Sequence, residues 1–275
     1  MPPLDRARMA VNRRMWDESV PLHVASRDYD VPSFEKGALT LPPLEISEIG
    51  PVRGRTLLHL QCHFGMDTLS WARRGARVTG VDFSGAAVDA ARNLAARCGI
   101  PGRFVESNVY DLPRHLRGEF DLVYTGKGAL CWLPDLDRWA RVVARFLRPG
   151  GRLYVVEDHP VAELFANGPN VHRLELQVPY FRAQPLRDES QGTYAAPEAR
   201  LKNALSYAWV HPISQTLGAL ISAGLELEQV HEFPFTYWKR FPFLRRGRDG
   251  FWHLPGPRGS LPLMWSVRAR RRTRG

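Results

Sequence analysis

The chain has 275 residues, 44% of them hydrophobic, and a formal net charge of +10, so it can bury a full core and is expected to form one large domain. Three scattered cysteines, Cys62, Cys98 and Cys131, exclude a zinc site and a disulfide framework; reduced thiols and no metal are expected. No apolar stretch approaches the roughly 20 residues of a membrane span, and the start MPPLDRARM lacks the apolar core of a signal peptide, so a cytoplasmic protein without a membrane partner is expected.

Residues 1–54 open with a helical stretch in which Met15, Trp16 and Val20 make a partly apolar stripe, followed by Tyr29. They are expected to cap a ligand site, with Trp16 and Tyr29 in its substrate pocket. From Arg55, RTLLHLQCHFGMDTLSWARRGARVTGVDFS predicts strand, tight loop, helix and strand, then an acid. Leu57, Leu58 and Leu60 run into a loop closing on Gly65, and Val78 and Val81 lead to Asp82. This is a nucleotide-binding βαβ unit, in which a carboxylate at the tip of the second strand can accept hydrogen bonds from both ribose hydroxyls. Dinucleotide loops need G-x-G-x-x-G, so that bare backbone can approach a pyrophosphate. Here Gln61, His63 and Phe64 fill those places and only Gly65 remains. A phosphate-free nucleoside such as S-adenosylmethionine therefore suits the loop better than NAD.

Downstream, SGAAVDAARNLAARC places alanine and leucine at helical spacing, and RFVESNVYDLP carries Asn108 and Val109. GEFDLVYTGKGALCWLPD holds a buried strand, Phe120 to Tyr124, that delivers Thr125, Gly126 and Lys127 to a cavity mouth. In RFLRPGGRLYVVEDHP a helix is expected to break at Pro149, Gly150 and Gly151, whose glycines permit positive φ, and a strand to end just before His159.

Taken in order from Arg55 to about Val267, these segments resemble the motifs of class I S-adenosylmethionine-dependent methyltransferases. The resemblance implies S-adenosylmethionine as cofactor and S-adenosylhomocysteine as product. It puts Asp82 on the ribose, Phe83 over the adenine, Asn108 at the adenine amino group and the Val109 amide at a ring nitrogen; Thr125 lines the mouth. Departures lie in LLHLQCHFG, where His59 stands in place of an acid and Gln61 and His63 in place of two glycines. Gln61 or His63 is then expected at the cofactor's carboxylate. The fold implied is α/β, a doubly wound, mostly parallel sheet of seven strands in the order 3-2-1-4-5-7-6, the last strand antiparallel, with helices on both faces.

Residues 55–159 read as the cofactor core, 160–210 as a lid inserted after strand 5, and 211–267 as the C-terminal core. The lid is far longer than usual connections and rich in aromatics, with Tyr180 and Tyr207 expected in the substrate pocket. VPYF and ALSYAWVHP are expected as strands of a small added sheet. An aromatic loop at 233–262, including Trp238, is expected to cover the same pocket. Eleven of the 38 basic residues but one of the 28 acids lie between Lys239 and Gly275, leaving 27 of each sign upstream. Five of those arginines fall in RARRRTRG, residues 268–275, read as a disordered basic tail.

Methyl transfer needs a nucleophile held near 3 Å behind an electrophilic carbon, with water excluded. A base helps only some acceptors; His159 is the first candidate, with His63, His172 and His211 in reserve. The expected partner is a small aromatic or lipophilic metabolite, plausibly of secondary metabolism, methylated at O, N or C; nucleic acid is disfavoured. The alternatives are an RNA-directed methyltransferase and a non-methylating S-adenosylmethionine enzyme, cyclising or rearranging its substrate. An NAD-dependent oxidoreductase is disfavoured by the one-glycine loop.

Overall fold

The computed structural model describes residues 2–168, 170–257 and 261–273. Strands β1 (Thr56–Leu60), β2 (Arg77–Asp82), β3 (Arg103–Glu106), β4 (Phe120–Gly126), β5 (Leu147–Asp158), β6 (Leu225–Phe233) and β7 (Met264–Arg271) form one sheet in the order 3-2-1-4-5-7-6. β1 to β5 pair in parallel, and β7 runs antiparallel between β5 and β6. The sheet is the one the sequence motifs imply.

The helices are α1 (Pro3–Ala25), α2 (Val31–Glu35), α3 (Pro43–Ile49), α4 (Met66–Arg73), α5 (Gly85–Cys98), α6 (Leu112–His115), α7 (Leu136–Phe146) and α8 (Ile213–Ser222). Strand alternation sorts the core into two faces. Leu58, Leu60, Val123, Leu153 and Val155 face Trp139, Val143 and Phe146 of α7 and Leu220 of α8. Their neighbours Leu57, Leu122, Tyr124, Tyr154 and Val156 face Trp71 of α4 with Leu41 and Val52. Each such buried side chain stabilises the fold by about 1.5–3 kcal/mol.

The helix before β5 ends earlier than expected. Asp135 caps its start by accepting from the Arg138 amide at 2.9 Å, and the helix stops at Phe146, with Leu147 already paired to Phe120. Pro149 disfavours a helical conformation at the residue before it, so the helix closes ahead of the turn at Gly150 (φ +75°).

The two long segments outside the core pack on each other. In residues 160–210, Leu186–Asp188 pairs with Ser206–Ala208, whereas the VPYF piece, expected as a strand, carries none. Phe165 and Leu174 pack against Ala162, Phe241, Leu244 and Leu263 in a satellite core. Beside it, Phe235–Thr236, Arg245–Arg246 and Trp252–His253 make a three-stranded ribbon.

The basic tail is a correction. β7 runs through Arg271, and its arginines are paired: Arg268 with Glu228 at 2.9 Å, Arg270 with Glu226 at 2.8 Å and Arg271 with Glu119 at 2.9 Å. Acids on β6 supply most of the partners, a cross-strand arrangement that a count of charges along the sequence hides. Residues 274 and 275 lie outside the described residues. Among those described, no helix is long and apolar enough to cross a membrane.

Candidate active site

The loop after β1 is built on left-handed backbone. Gln61 (φ +57°), His63 (φ +50°) and Gly65 (φ +80°) alternate with Cys62 and Phe64. At Gly65 a Cβ would lie 2.7 Å from the Phe104 ring and 2.9 Å from the Ala91 Cβ, so only glycine fits. Gln61 and His63 keep the backbone shape glycines would give, at a cost of order 1 kcal/mol each. Their side chains tie the loop down. Gln61 Nε2 donates to the Ala129 carbonyl at 2.6 Å, and His63 Nε2 lies 2.9 Å from His23 Nδ1 on α1.

Asp82 ends β2 and is buried. Its two oxygens accept from the His63 amide at 2.8 Å and the Ser84 amide at 3.0 Å, and each keeps lone-pair capacity for a ligand hydroxyl. Burial outweighs these bonds and pushes its carboxyl up to about 6. Ser84, not Asp82, caps α5, accepting from the Ala87 amide at 3.1 Å. At the tip of β3, Asn108 Oδ1 accepts from the Tyr110 amide at 3.0 Å. After β4, Lys127 (φ +63°) and Gly128 (φ +81°) turn the chain across the mouth. Buried Glu157 holds that turn from below, accepting from the Ala129 amide at 3.0 Å and the Leu130 amide at 3.4 Å. Its carboxyl is pushed up to about 8 by burial.

These loops enclose a cavity of about 270 Å³. Gln61, His63, Gly65, Asp82, Phe83, Asn108 and Val109, all expected at the cofactor, line it, as do Trp16 and Tyr29. The sequence did not single out Met9, Thr40, Asp67, Trp132 or Tyr194, which also line it. Trp16 packs edge-on against His63 at 5.2 Å and Trp132 at 5.3 Å. Tyr29 stacks on His23 at 5.5 Å, and its hydroxyl bonds that of Tyr194. The cover therefore comes from α1, the turn after it, Trp132 and, among the described residues of the 160–210 segment, Tyr194.

Other expected site residues are elsewhere. Thr125 is fully buried within β4, one residue short of the wall. Tyr180 accepts from the Ile213 amide at 3.3 Å, and Trp238 donates to Asp158 at 3.2 Å. Tyr207 docks on α1: its amide and carbonyl meet the Asn12 carboxamide, each at 2.8 Å. None of the four lines the cavity, and no described residue of the aromatic loop at 233–262 does either: Phe241, Phe243 and Trp252 pack in the satellite core, and Phe233 and Tyr237 against the sheet. His159 is buried off the cavity with both ring nitrogens engaged, Nδ1 accepting from the Val161 amide at 3.1 Å and Nε2 lying 2.8 Å from Glu232. That leaves no free nitrogen for a base. Of the reserve histidines, His172 is exposed, and His211 Nε2 lies 2.7 Å from the Leu133 carbonyl; His63 alone is on the wall.

Residues 58–155 match the methyltransferase domain family. A ubiquinone biosynthesis O-methyltransferase of Pseudomonas paraeruginosa is 29% identical over 148 residues, 52% of this chain and 63% of that protein. The match thus spans about three fifths of that relative's length. An S-adenosylmethionine-dependent methyltransferase of Mesorhizobium loti shares the fold with TM-score 0.58 at 22% identity, over 86% of this chain and 100% of that one. A structure described as a putative enzyme of the same kind, from Listeria monocytogenes, gives TM-score 0.58 at 16% identity, over 88% and 99%. Over residues 58–155 the chain is similar to the methyltransferase domain family, and its sheet order is the one expected of class I S-adenosylmethionine-dependent methyltransferases. The N-terminal cap and the two aromatic segments lie outside the matched residues.

Proposed function

We propose that the protein transfers a methyl group from S-adenosylmethionine to a small aromatic or lipophilic acceptor, with oxygen the favoured atom. The carrying observation is a cavity lined both by Asp82 and the β1 loop and by the rings of Trp16, Tyr29, Phe64, Trp132 and Tyr194. The residues fit the cofactor. Asp82 offers acceptors to a ribose, Phe83 and Val109 offer apolar surface to an adenine, and Gln61 Oε1 is a buried acceptor with no partner. Side chains at 61 and 63 leave no bare loop for a pyrophosphate.

Bound S-adenosylmethionine supplies an electrophilic sulfonium methyl; the protein's part is to orient, dry and deprotonate. The aromatic cover excludes water and presents flat apolar surface to the acceptor. His63 is the proton acceptor in this reading. Its Nδ1 makes no hydrogen bond among the described residues, its Nε2 is steadied by His23, and burial holds the ring neutral. The O-methyltransferase relatives favour a hydroxyl acceptor. RNA stays outside the reading, because three of the C-terminal arginines are neutralised within the sheet or against Glu119.

The test is incubation with S-adenosylmethionine and pools of phenols and aliphatic alcohols, following S-adenosylhomocysteine by mass. Acceptor-dependent product is expected, with kcat reduced roughly 10²-fold or more in His63→Gln and S-adenosylhomocysteine affinity kept. Cofactor binding without turnover on any pool would contradict methyl transfer to such acceptors, and an unchanged kcat would return His63 to a structural role.

A further inference from the structure

On the cavity wall lies a charge pair that the roles above leave unused. Lys127 Nζ donates to Asp67 Oδ2 at 2.7 Å and to the Thr40 carbonyl at 3.3 Å. The Thr40 hydroxyl donates to Asp67. Lys127, Asp67 and Thr40 all line the wall, on the β4 turn, the first turn of α4 and the segment before α3. Glu45 Oε1 lies 3.6 Å from Nζ, an ion-pair contact longer than a hydrogen bond. One of the three ammonium hydrogens is therefore available to a ligand.

Lys127 holds this place with a left-handed backbone, which costs a non-glycine residue of order 1 kcal/mol and persists where something over-determines it. His59, standing where the family's acid is expected, is buried, lies 2.8 Å from Thr68 Oγ1 and is held neutral by burial, down to about 4. Burial likewise pushes the Glu45 carboxyl up. Asp67 and Lys127 line the cavity as an anion beside a cation, while Glu45 does not line it.

An anionic ligand would suit Lys127 but meet Asp67 as a like charge, and a cation would meet Lys127 the same way. A zwitterion satisfies both. Asp82, where the nucleoside belongs, lines the same cavity, as does the loop from Gln61 to Gly65 that runs from β1 into α4. We infer that Asp67 and Lys127 hold the amino-acid end of the cofactor, the ammonium at Asp67 and the carboxylate at Lys127, in place of the acid missing at position 59. The inference rests on the proposed cofactor. It corrects the expectation that Gln61 or His63 meets the carboxylate, since Gln61 Nε2 is spent on Ala129 and His63 Nε2 on His23.

Two ligands that differ only at that end test it. S-adenosylhomocysteine and 5′-methylthioadenosine, which lacks the amino-acid group, are titrated calorimetrically into wild type, Asp67→Asn, Lys127→Met and Lys127→Arg. Loss of a charge-assisted hydrogen bond should weaken S-adenosylhomocysteine about 10- to 100-fold in Asp67→Asn and Lys127→Met. Lys127→Arg should keep most of its affinity. Methylthioadenosine should bind all four proteins within about threefold, which also shows that each variant is folded. Unchanged S-adenosylhomocysteine affinity in both charge-removing variants, or parallel losses for both ligands, would overturn the assignment. If wild type bound neither nucleoside, the cofactor reading would fall and this inference with it.

Discussion

Glu157 shows how much of the site depends on one buried residue that never touches the cavity. Its carboxyl holds the Ala129 and Leu130 amides, and the Ala129 carbonyl in turn receives Gln61. Because folding raises its pKa to about 8, the folded chain holds a proton that the unfolded chain has released above about 4.5. Its contribution to stability is thus fully present below pH 4.5 and is lost as pH rises through 8. Glu157→Gln should match wild type at pH 5 and melt roughly 5 °C higher at pH 8; thermal melts across that range check it, and a constant difference would contradict it. Glu157 ends a strand the sequence made plain, yet its role could not be read there, because the amides it holds come from another loop. Asp82, Phe83, Asn108 and Val109 were legible because strand tips on a parallel sheet converge wherever the chain order is right. His159 misled for the opposite reason. Its position after β5 was correct, but Glu232 on β6 and the Val161 amide take its nitrogens.

At the scale of elements, α1 is the part of the chain that walls the cavity above the carboxyl ends of the strands. It brings Met9 and Trp16 to the wall and buries Asn12, Ser19 and His23 on its inner side. Buried polar residues blur the helical stripe, which is why only a partly apolar face was visible in the sequence. Asn12 pairs through both ends of its carboxamide with the Tyr207 backbone, and Glu18 accepts from the Lys202 and Asn203 amides at 2.6 and 2.9 Å. The helix and the 160–210 segment are therefore docked to each other by side-chain to backbone bonds. Asn12→Ala leaves a backbone amide and carbonyl unpaired and should cost about 2 kcal/mol, roughly 5 °C in Tm. Faster hydrogen exchange at the Tyr207 amide is the local readout; unchanged exchange would show that the docking does not depend on Asn12. Tyr207 itself was expected in the pocket on its aromatic character, whereas Tyr194 is the residue of that segment that reaches it. A loop's direction is set by such docking bonds, which no local pattern in the sequence reports.

For the whole molecule, charge and cavity tell one story. Four of the C-terminal arginines, Arg268, Arg270, Arg271 and Arg272, pair with Glu228, Glu226 and Glu119, so part of the basic composition serves sheet cohesion. The cavity, in contrast, concentrates aromatic rings, a buried carboxylate and one ion pair at the carboxyl ends of the strands, where open α/β sheets bind their ligands. The central claim is that Asp82 holds an adenosyl nucleoside there. Calorimetric titration of S-adenosylhomocysteine into wild type and Asp82→Ala tests it most directly. Saturable binding to wild type is expected, weakened at least about tenfold in the folded variant by the loss of charge-assisted hydrogen bonds. Equal affinity in the two proteins, or no binding to wild type, would contradict it.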